Sequence, residues 1–277
     1  MRAISEELPS AVARLRDAGV ESPQLDAQLL MALALGCPRL QVISHPERNL
    51  SDAEHALFES MVDRRASRYP LAYIIGEKEF FGLTLSVSPA VLIPRPETEI
   101  LVEECVKRLR PDAVIADIGT GSGAIAVALG VGMPAAWIYA TDSSEEALKV
   151  ARANVEKHGL ADRVCIVRGD LLEPLNEAGL EFDAIVSNPP YIPTGAIESL
   201  EPEVRQEPFQ ALDGGTDGLD AYRRLFPQAA RLAQMVAVEI GIEQAGPVTE
   251  IARGAGWRQI EIIRDLAGIE RVVIARQ

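Results

Sequence analysis

From about residue 97 onward, short apolar segments alternate with segments of helical periodicity. The strand candidates are 113–118, 136–141, 164–167, 182–187, 235–240, 257–263 and 271–275. Strands that alternate with helices fold into a mostly parallel sheet with helices on both faces. Only seven residues separate the last two candidates, which is too few for a helical crossover, so we expect these strands to pair antiparallel. The pattern predicts a doubly wound, seven-stranded α/β domain over 97–277.

The beginning of the chain has a different texture, because residues 1–75 contain helical patterns only. The segment 51–70 opens with Ser51 three residues before Glu54, which predicts a capping box. The apolar face of this helix is predicted to comprise Leu57, Phe58 and Met61. No residue in this region suggests catalysis. We therefore predict a small helical bundle over 1–78 that serves substrate recognition.

A period-two pattern marks the connection between these two regions. The residues that alternate with polar side chains are Leu83, Leu85 and Val87. Residues 88–90 have the composition of a turn, and the apolar residues 91–93 are predicted to return as a second strand. The sequence thus predicts a β-hairpin connector over 79–96.

A glycine-rich turn follows the first strand of the predicted sheet, in the segment ADIGTGSGAIAVALG. Glycines let the backbone approach a ligand closely at the N-terminus of the next helix. Gly119, Gly121 and Ala124 also satisfy the dinucleotide pattern GxGxxG/A. The loop alone leaves a nicotinamide cofactor and S-adenosylmethionine both open.

Three carboxylates come at the ends of successive strand candidates. Asp117 precedes the glycines and completes D-x-G-x-G-x-G, the usual opening of class I methyltransferases. Asp142 ends the second strand, where a carboxylate can accept hydrogen bonds from both ribose hydroxyls of either cofactor. Asp170 follows the third strand and could accept the exocyclic amine of adenine, with Leu171 packed on the ring. Because doubly wound folds bind ligands at the carboxyl edge of the sheet, the three favour one cofactor site.

The fourth strand ends on SNPPYI, which starts at residue 187. A residue before proline is pushed out of the helical region, so Asn188 and Pro189 are held extended. Since Pro189 and Pro190 lack N–H groups, backbone carbonyls are left as acceptors beside the Asn188 side-chain oxygen. Tyr191 adds a flat face that can stack on a planar substrate.

Two uncharged acceptors suit a planar, conjugated NH2 group, either an amide or an exocyclic base amine. The lone pair of such a nitrogen is delocalised and weakly nucleophilic. Hydrogen bonds to both N–H groups allow the nitrogen to pyramidalise as positive charge builds in the transition state. Alignment with the sulfonium methyl group should supply much of the acceleration. This corner therefore predicts a nitrogen methyltransferase.

Composition excludes several other classes. The formal net charge of −14 argues against tight binding to nucleic-acid phosphates, which requires basic patches. The three cysteines are far apart and show no CxxC spacing, which disfavours a zinc site or a disulfide framework. The start lacks an apolar signal region, and no run of 18 apolar residues occurs. We expect a cytoplasmic monomer that holds no metal and binds no membrane.

Several segments together resemble the HemK-type N5-glutamine methyltransferases of bacterial peptide chain release factors. In chain order they are DAQLLMALALG, RRASRYPLAYIIGEKEFFGLTLSVSPAVLIPRPETE, DIGTGSG, NPPYI, EPFQALDGGTDGLDAYRRL, EIGIEQ and DLAGIERVV. The match spans nearly the whole chain and is specific as a set. The stretch PRPETE (94–99) resembles the release-factor branch, whereas sister enzymes for a ribosomal protein are expected to carry a PRSP-like stretch.

This resemblance implies a class I S-adenosylmethionine-dependent methyltransferase domain behind a small helical bundle. The implied reaction is methyl transfer to the side-chain amide nitrogen of the glutamine in a Gly-Gly-Gln motif. The residues that would hold S-adenosyl-L-methionine are Asp117, Ile118, Gly119, Thr120, Gly121, Asp142, Asp170, Leu171 and Asn188. The residues that would bind the substrate amide are Asn188, Pro189, Pro190 and Tyr191, of which Asn188, Pro189 and Tyr191 would be catalytic.

Four alternatives remain for the function. An adenine-N6 methyltransferase of nucleic acid shares the NPPY corner but should carry a basic, aromatic-rich surface. A glutamine methyltransferase for a ribosomal protein shares the corner too and differs at PRPETE. A nicotinamide dehydrogenase fits the glycine loop and leaves NPPY unexplained. A non-catalytic interaction protein on the same fold would have no need of the intact loop and corner.

Overall fold

A computed structural model describes residues 2–277, and the chain divides into two compact units. The first unit contains the residues up to 76 together with 201–206, and the second contains 77–200 and 207–277. Residues 201–206 therefore belong to the first unit, although they fall within the predicted α/β domain, 97–277. The predicted domain boundaries themselves remain predictions.

The first unit is a helical bundle. Its elements are β1 (Arg2–Ala3), α1 (Ile4–Asp17), α2 (Pro23–Ala34), α3 (Arg39–Ser44), β2 (Asn49–Leu50), α4 (Asp52–Ala66), α5 (Leu71–Ile75) and a 3-10 turn (Val204–Gln206). The two short strands pair antiparallel. Leu15 of α1, Leu30 of α2 and Phe58 of α4 are fully buried in one shared apolar core. Tertiary burial of these faces stabilises helices that would be marginal in isolation.

Helix α4 begins with the predicted capping box. The Ser51 hydroxyl accepts from the Glu54 amide at 3.3 Å, and the Ser51 amide donates to the Glu54 carboxylate at 2.8 Å. Phe58 and Met61 are buried as predicted, but Leu57 is 49% exposed. The prediction for Leu57 was wrong because Phe58, Met61, Val62 and Arg65 form the buried face of α4, and Leu57 lies about 90° from the centre of that face.

A buried ion cluster holds the segment 201–206 in this unit. The Arg65 guanidinium donates to Asp26 and to Glu203, each at 2.8 Å. Arg68 also donates to Glu203, at 2.6 Å. Burial alone would raise the pKa of the Glu203 carboxyl, but hydrogen bonds from Arg68 and Arg65 outweigh burial and lower this pKa to about 2. Glu203 is therefore ionised throughout the physiological pH range.

The second unit contains the predicted sheet. Its strands are β3 (Glu77–Phe80), β4 (Leu83–Ser86), β5 (Val114–Ile118), β6 (Trp137–Asp142), β7 (Val164–Arg168), β8 (Phe182–Ser187), β9 (Ala233–Glu239), β10 (Gln259–Arg264) and β11 (Glu270–Arg276). Its helices are α6 (Pro96–Arg108), α7 (Ala124–Gly132), α8 (Glu145–Lys157), α9 (Glu173–Glu177), α10 (Phe209–Leu212), α11 (Asp220–Ala229) and α12 (Ala245–Gly254), with a 3-10 turn at Thr194–Ser199. The main sheet has the order β10-β11-β9-β8-β5-β6-β7. Strands β5 to β9 are parallel, whereas β11 is antiparallel to both β9 and β10, which confirms the predicted fold class.

The predicted hairpin pairing was wrong. The strand 83–86 pairs with 77–80, which precedes it, and residues 91–93 form no strand. The connecting residues Phe81 and Gly82 have positive φ angles of 54° and 71°. Two such residues make a tight turn whose twist matches that of antiparallel strands. Residues 91–93 instead lie between two prolines, which cannot donate to a strand ladder.

Apolar residues cover both faces of the main sheet, as parallel strands require. On β5, Ile115 packs into a cluster with α6, α7 and α8, and Ala116 packs into a cluster with α11 and α12. Val186 and Ile185 divide in the same way on β8. None of the helices within residues 2–277 is long and apolar enough to cross a bilayer.

We predict that Ser51→Ala lowers the free energy of unfolding of the first unit by about 1 kcal/mol, because the first turn of α4 loses its capping acceptor. Urea unfolding would measure the change. Ser10→Ala is the matched control, since Ser10 is exposed in the middle of α1. Equal effects of the two substitutions would contradict the role of the cap.

Candidate active site

The register of the parallel strands brings several strand ends to one edge of the sheet. Ile118 of β5 is paired with Thr141 of β6 and with Ser187 of β8. The residues that follow these three in the chain are Gly119, Asp142 and Asn188. Since paired positions lie side by side, the glycine loop is flanked by a carboxylate on one side and an amide on the other.

The same register places a further carboxylate beside Asn188. Ser187 is paired with Val238 of β9, so Glu239 is the neighbour of Asn188 across the strand pair. The Ser187 hydroxyl also donates to the Ile118 carbonyl at 2.7 Å, which ties β8 to β5 at this level. The ends of β5, β8 and β9 therefore form one continuous polar edge.

A cleft of about 330 Å³ lies at this edge, a size suited to a small-molecule ligand. The predicted site residues that line the cleft are Gly119, Thr120, Gly121, Asp142, Asp170, Leu171, Asn188 and Pro190. Those that lie outside its lining are Asp117, Ile118, Pro189 and Tyr191. Thr98 lines the cleft as well, and further lining residues to which the sequence pattern gave no role include Phe80, Leu92, Arg95, Gln210 and Arg224.

The glycine loop is shaped to approach a ligand. Gly119 and Gly121 have φ angles of 70° and 55°, and a Cβ on either residue would meet no atom within 4 Å. The Asp142 carboxylate holds the loop, since one oxygen accepts from the Gly121 amide at 2.9 Å. The other oxygen accepts from the Ser144 amide at 2.9 Å. Each carboxylate oxygen retains a lone pair that can accept a further hydrogen bond.

Asp117 supports the loop from below. It is fully buried, and one carboxylate oxygen accepts from the Thr120 hydroxyl at 2.6 Å and from the Ala126 amide at 3.1 Å. The other oxygen has no hydrogen-bond partner among residues 2–277. Burial raises the pKa of Asp117 to about 7, against the lowering effect of these two hydrogen bonds. Contact of Asp117 or the buried Ile118 with a cofactor stays a prediction.

Asp170 and Leu171 border the cleft beyond β7. The Asp170 carboxylate pairs with the guanidinium of Arg224, which also lines the cleft. Leu171 has a φ angle of 49°, and its carbonyl accepts from the Thr141 hydroxyl at 3.0 Å. A positive φ in a leucine is unusual and holds this turn in one conformation. Recognition of adenine by these two residues stays a prediction.

The NPPY corner is tied to its surroundings at both ends. The Asn188 side-chain NH2 donates to the Thr98 hydroxyl at 3.0 Å. The Tyr191 hydroxyl donates to Glu239 at 3.2 Å, and the Tyr191 carbonyl accepts from the Gln244 side chain at 2.9 Å. The Pro189 carbonyl accepts no hydrogen bond from residues 2–277. Pro189 is buried and lies outside the cleft lining, so its role as an acceptor for the substrate stays a prediction.

Residues that no sequence pattern indicated hold this edge together. Glu207 is buried and accepts from the Ile93 amide at 2.9 Å, and it pairs with Arg95. These contacts fix the extended segment before α6 against the cleft. Glu239 and Gln244 hold Tyr191 in the same way. The segments that carried the family resemblance contain all of these contact residues: Ile93, Arg95, Glu207, Glu239 and Gln244. No spacing in the sequence indicated which of them would contact each other.

Two family descriptions and many curated relatives match this chain. The family described as "PrmC N-terminal domain" matches residues 7–76, and "Methyltransferase small domain" matches 96–205. A relative from Moorella thermoacetica, named "Release factor glutamine methyltransferase", is 47% identical over 98% of this chain and 98% of its own length. A relative of the same name from Geobacter sulfurreducens is 44% identical over 95% of this chain and 92% of its own length.

Solved structures share the fold at lower identity. One is the hMettl16 catalytic domain in complex with MAT2A 3′UTR hairpin 6, with a TM-score of 0.58 and 20% identity over 78% of this chain and 81% of that chain. Another is a methyltransferase from Pyrococcus furiosus, with a TM-score of 0.55 and 21% identity over 77% of this chain and 98% of that chain. At these identities the likeness is one of fold alone.

The sheet order, the cleft at its carboxyl edge, the matched methyltransferase family and the curated relatives define a class I methyltransferase that uses S-adenosylmethionine. Full-length relatives at 42–47% identity narrow the class further. The chain belongs to the release factor glutamine methyltransferase family.

The cleft fits this cofactor. The glycine loop offers open space and exposed backbone at the start of α7, and Asp142 retains acceptor capacity for two hydroxyl groups. The unpartnered buried oxygen of Asp117 is an acceptor that a positively charged group nearby would stabilise. Apolar side chains from Leu92 and Leu171 provide surface for a planar ring.

We predict that two glycine substitutions affect different properties, since Gly121→Ala should mainly weaken cofactor binding and Gly123→Ala should mainly lower stability. Gly121→Ala should weaken binding of S-adenosylhomocysteine by about tenfold or more, because the new methyl group would fill the open space that the ligand is expected to occupy. The left-handed backbone at this position should add a stability cost of about 1 kcal/mol. Gly123→Ala should lower the free energy of unfolding by about 3 kcal/mol, because φ is 80° and the new Cβ would lie 3.2 Å from the Ala151 Cα. Calorimetric titration and urea unfolding would measure the two effects. Normal binding by Gly121→Ala would argue against the loop as the cofactor site.

Proposed function

We propose that this protein transfers a methyl group from S-adenosyl-L-methionine to the side-chain amide nitrogen of the glutamine in the Gly-Gly-Gln motif of bacterial peptide chain release factors. In this proposal it acts in the cytoplasm as a monomer, on a protein rather than on nucleic acid or a membrane. The first unit serves to recognise the protein substrate. The names of the full-length relatives support the substrate class.

The observation that carries the proposal is the orientation of Asn188. Its NH2 group is engaged by Thr98 at 3.0 Å, which leaves the side-chain oxygen as the free end of the amide. Asn188 lines the cleft directly beside the glycine loop. An uncharged acceptor at this position suits an NH2 group and offers nothing to a substrate that only accepts hydrogen bonds.

The substrate amide would be held by two acceptors. The Asn188 oxygen and the Pro189 carbonyl accept its two N–H groups, so the nitrogen lone pair is directed toward the cofactor. Tyr191 packs against the substrate, and Pro190 supplies the adjoining wall of the cleft. The prolines keep these acceptors in place, because their φ angles cannot relax when the substrate leaves.

On the cofactor side, a set of residues at the carboxyl edge would bind S-adenosylmethionine. They are Asp117, Ile118, Gly119, Thr120, Gly121, Asp142, Asp170, Leu171 and Asn188. Asp142 would accept hydrogen bonds from hydroxyl groups, and the ionised form of Asp117 would supply negative charge next to the loop. Asp170 could accept an amine while it remains paired with Arg224.

The bound cofactor supplies a methyl group on a positively charged sulfur, which is a good leaving group. The task of the protein is alignment, since an amide nitrogen is a poor nucleophile. As the nitrogen takes on positive charge, the hydrogen bonds to Asn188 and Pro189 strengthen and stabilise the transition state. The methylated nitrogen then loses its proton readily to solvent, so no side chain has to act as a strong base.

A transfer assay with labelled S-adenosylmethionine tests the proposal directly. Release factor, ribosomal protein and DNA are supplied in separate reactions. We expect label in the release factor and no label in a matched release factor whose Gly-Gly-Gln glutamine is replaced by alanine. Label in DNA or ribosomal protein without label in the release factor would overturn the proposal.

Asn188→Ala should reduce methyl transfer by about 10²-fold or more, because one acceptor of the developing charge is lost. Binding of S-adenosylhomocysteine, measured by calorimetry, should weaken far less than methyl transfer, because Asn188 is only one of the residues assigned to the cofactor and the glycine loop and Asp142 are unaltered. Asn176→Ala is the matched control, because Asn176 is exposed on α9 outside the cleft lining. A collapse of cofactor binding in Asn188→Ala would show that the assigned division of roles is wrong.

A further inference from the structure

Behind the NPPY corner lies a chain of three hydrogen-bonded side chains. The Thr98 hydroxyl donates to Glu239 at 2.5 Å, and the Asn188 NH2 group donates to the Thr98 oxygen at 3.0 Å. Thr98 is 4% exposed and Glu239 is 2% exposed, so neither has a solvent alternative. Thr98 lies in α6, Glu239 ends β9, and Asn188 directly follows β8. Glu239 lies outside the cleft lining.

The donor and acceptor capacities of these three side chains determine the direction of each hydrogen bond between them. An ionised carboxylate can only accept hydrogen bonds, so the single proton of Thr98 must point at Glu239. The Thr98 oxygen then has only lone pairs to offer Asn188. Of the two ends of the Asn188 amide, only the NH2 group can face a pure acceptor. The oxygen of the amide is thereby turned away from Thr98.

We propose that Thr98 and Glu239 are positioning residues that keep the Asn188 amide in the orientation needed for methyl transfer, and that protonation of Glu239 releases this orientation and slows the reaction. The inference rests on the proposed function, which requires the Asn188 oxygen to accept from the substrate NH2 group. It adds a built-in pH control of the same site.

Protonation of Glu239 allows the direction of these hydrogen bonds to reverse. A neutral Glu239 can donate to Thr98, which frees the Thr98 proton to donate to Asn188. The Asn188 amide can then turn over and accept from Thr98 with its oxygen. Its NH2 group would face the NH2 group of the substrate, so two donors would oppose each other and the productive complex would be lost.

The surroundings of Glu239 place this change near neutral pH. Burial raises the pKa of Glu239 to about 7, against the lowering effect of the hydrogen bonds from Thr98 and Tyr191. Glu97 of α6 raises this pKa further, and Arg271 of β11 lowers it. From α11, the Tyr222 hydroxyl donates to the Glu239 backbone carbonyl at 2.8 Å and leaves the carboxylate itself to Thr98 and Tyr191.

Substitutions at Thr98 test the positioning role. Thr98→Val keeps the shape and removes the hydroxyl, so we expect kcat to fall by about 10²-fold, the scale of a misaligned reacting group. The Kd for S-adenosylhomocysteine should stay within about twofold, since alignment is altered while the loop is not. Thr98→Ser restores the hydroxyl and should recover most of kcat. Thr249→Val is the matched control, because the Thr249 hydroxyl is buried without a partner among residues 2–277 and lies away from the cleft.

The pH profile tests the switch. For the wild-type enzyme, kcat should fall on the acid side with a midpoint near 7. Glu239→Gln should lower kcat at pH 8 and remove the contribution of Glu239 to this acid limb, so that only the ionisation of Asp117, whose pKa is also about 7, can remain. Tyr191→Phe should retain the limb, since the path through Thr98 is intact. An unchanged acid limb in Glu239→Gln would overturn the proposal, as would wild-type kcat in Thr98→Val.

A measurement without substrate separates this proposal from the proposed function. In the wild-type protein, NMR should show the Glu239 carboxyl carbon and the Asn188 NH2 protons titrating with one shared midpoint. Thr98→Val should uncouple the two signals. An Asn188 signal that ignores the Glu239 titration would refute the relay even if the release factor is methylated. A shared midpoint together with no label in the release factor would support the relay and reject the proposed substrate.

Discussion

The register between neighbouring parallel strands is the constraint on which the whole site depends. Ile118, Thr141, Ser187 and Val238 lie level across four strands, so the residue after each one emerges at the same edge. A shift of one residue would turn every side chain of a strand to the other face. The buried apolar residues on both faces prevent such a shift, so core packing sets the positions of the polar residues.

This arrangement has an electrostatic cost, because it buries two carboxylates, Asp117 and Glu239. Burial raises the pKa of each to about 7 in the folded protein. A raised pKa means that the folded state holds the proton more tightly than the unfolded state does. The contribution of both groups to stability is therefore greatest at acid pH and is lost as the pH rises from about 4 to about 7. The fold keeps Asp117 against the Thr120 hydroxyl of the glycine loop and Glu239 against the Thr98 hydroxyl.

The expectations that failed share a cause. The return strand at 91–93 and the burial of Leu57 were inferred from apolar character, which is present in both places. Apolar character favours strand pairing or burial, but the rest of the fold determines whether and where a residue pairs or is buried. Residues 77–80 pair with 83–86 through the turn at Phe81 and Gly82, and Leu57 lies outside the buried face of α4.

The sequence by itself determined the sheet, the glycine loop and the NPPY corner, because each depends on local periodicity or on the fixed backbone of glycine and proline. Only the tertiary structure decided what surrounds them. Thr98 meets Glu239 across 141 positions of the chain, and Asn188 meets Thr98 across 90. No local pattern records contacts of that range, since they exist only after the strands have taken their order. The direction of the Asn188 amide is consequently a property of the folded protein.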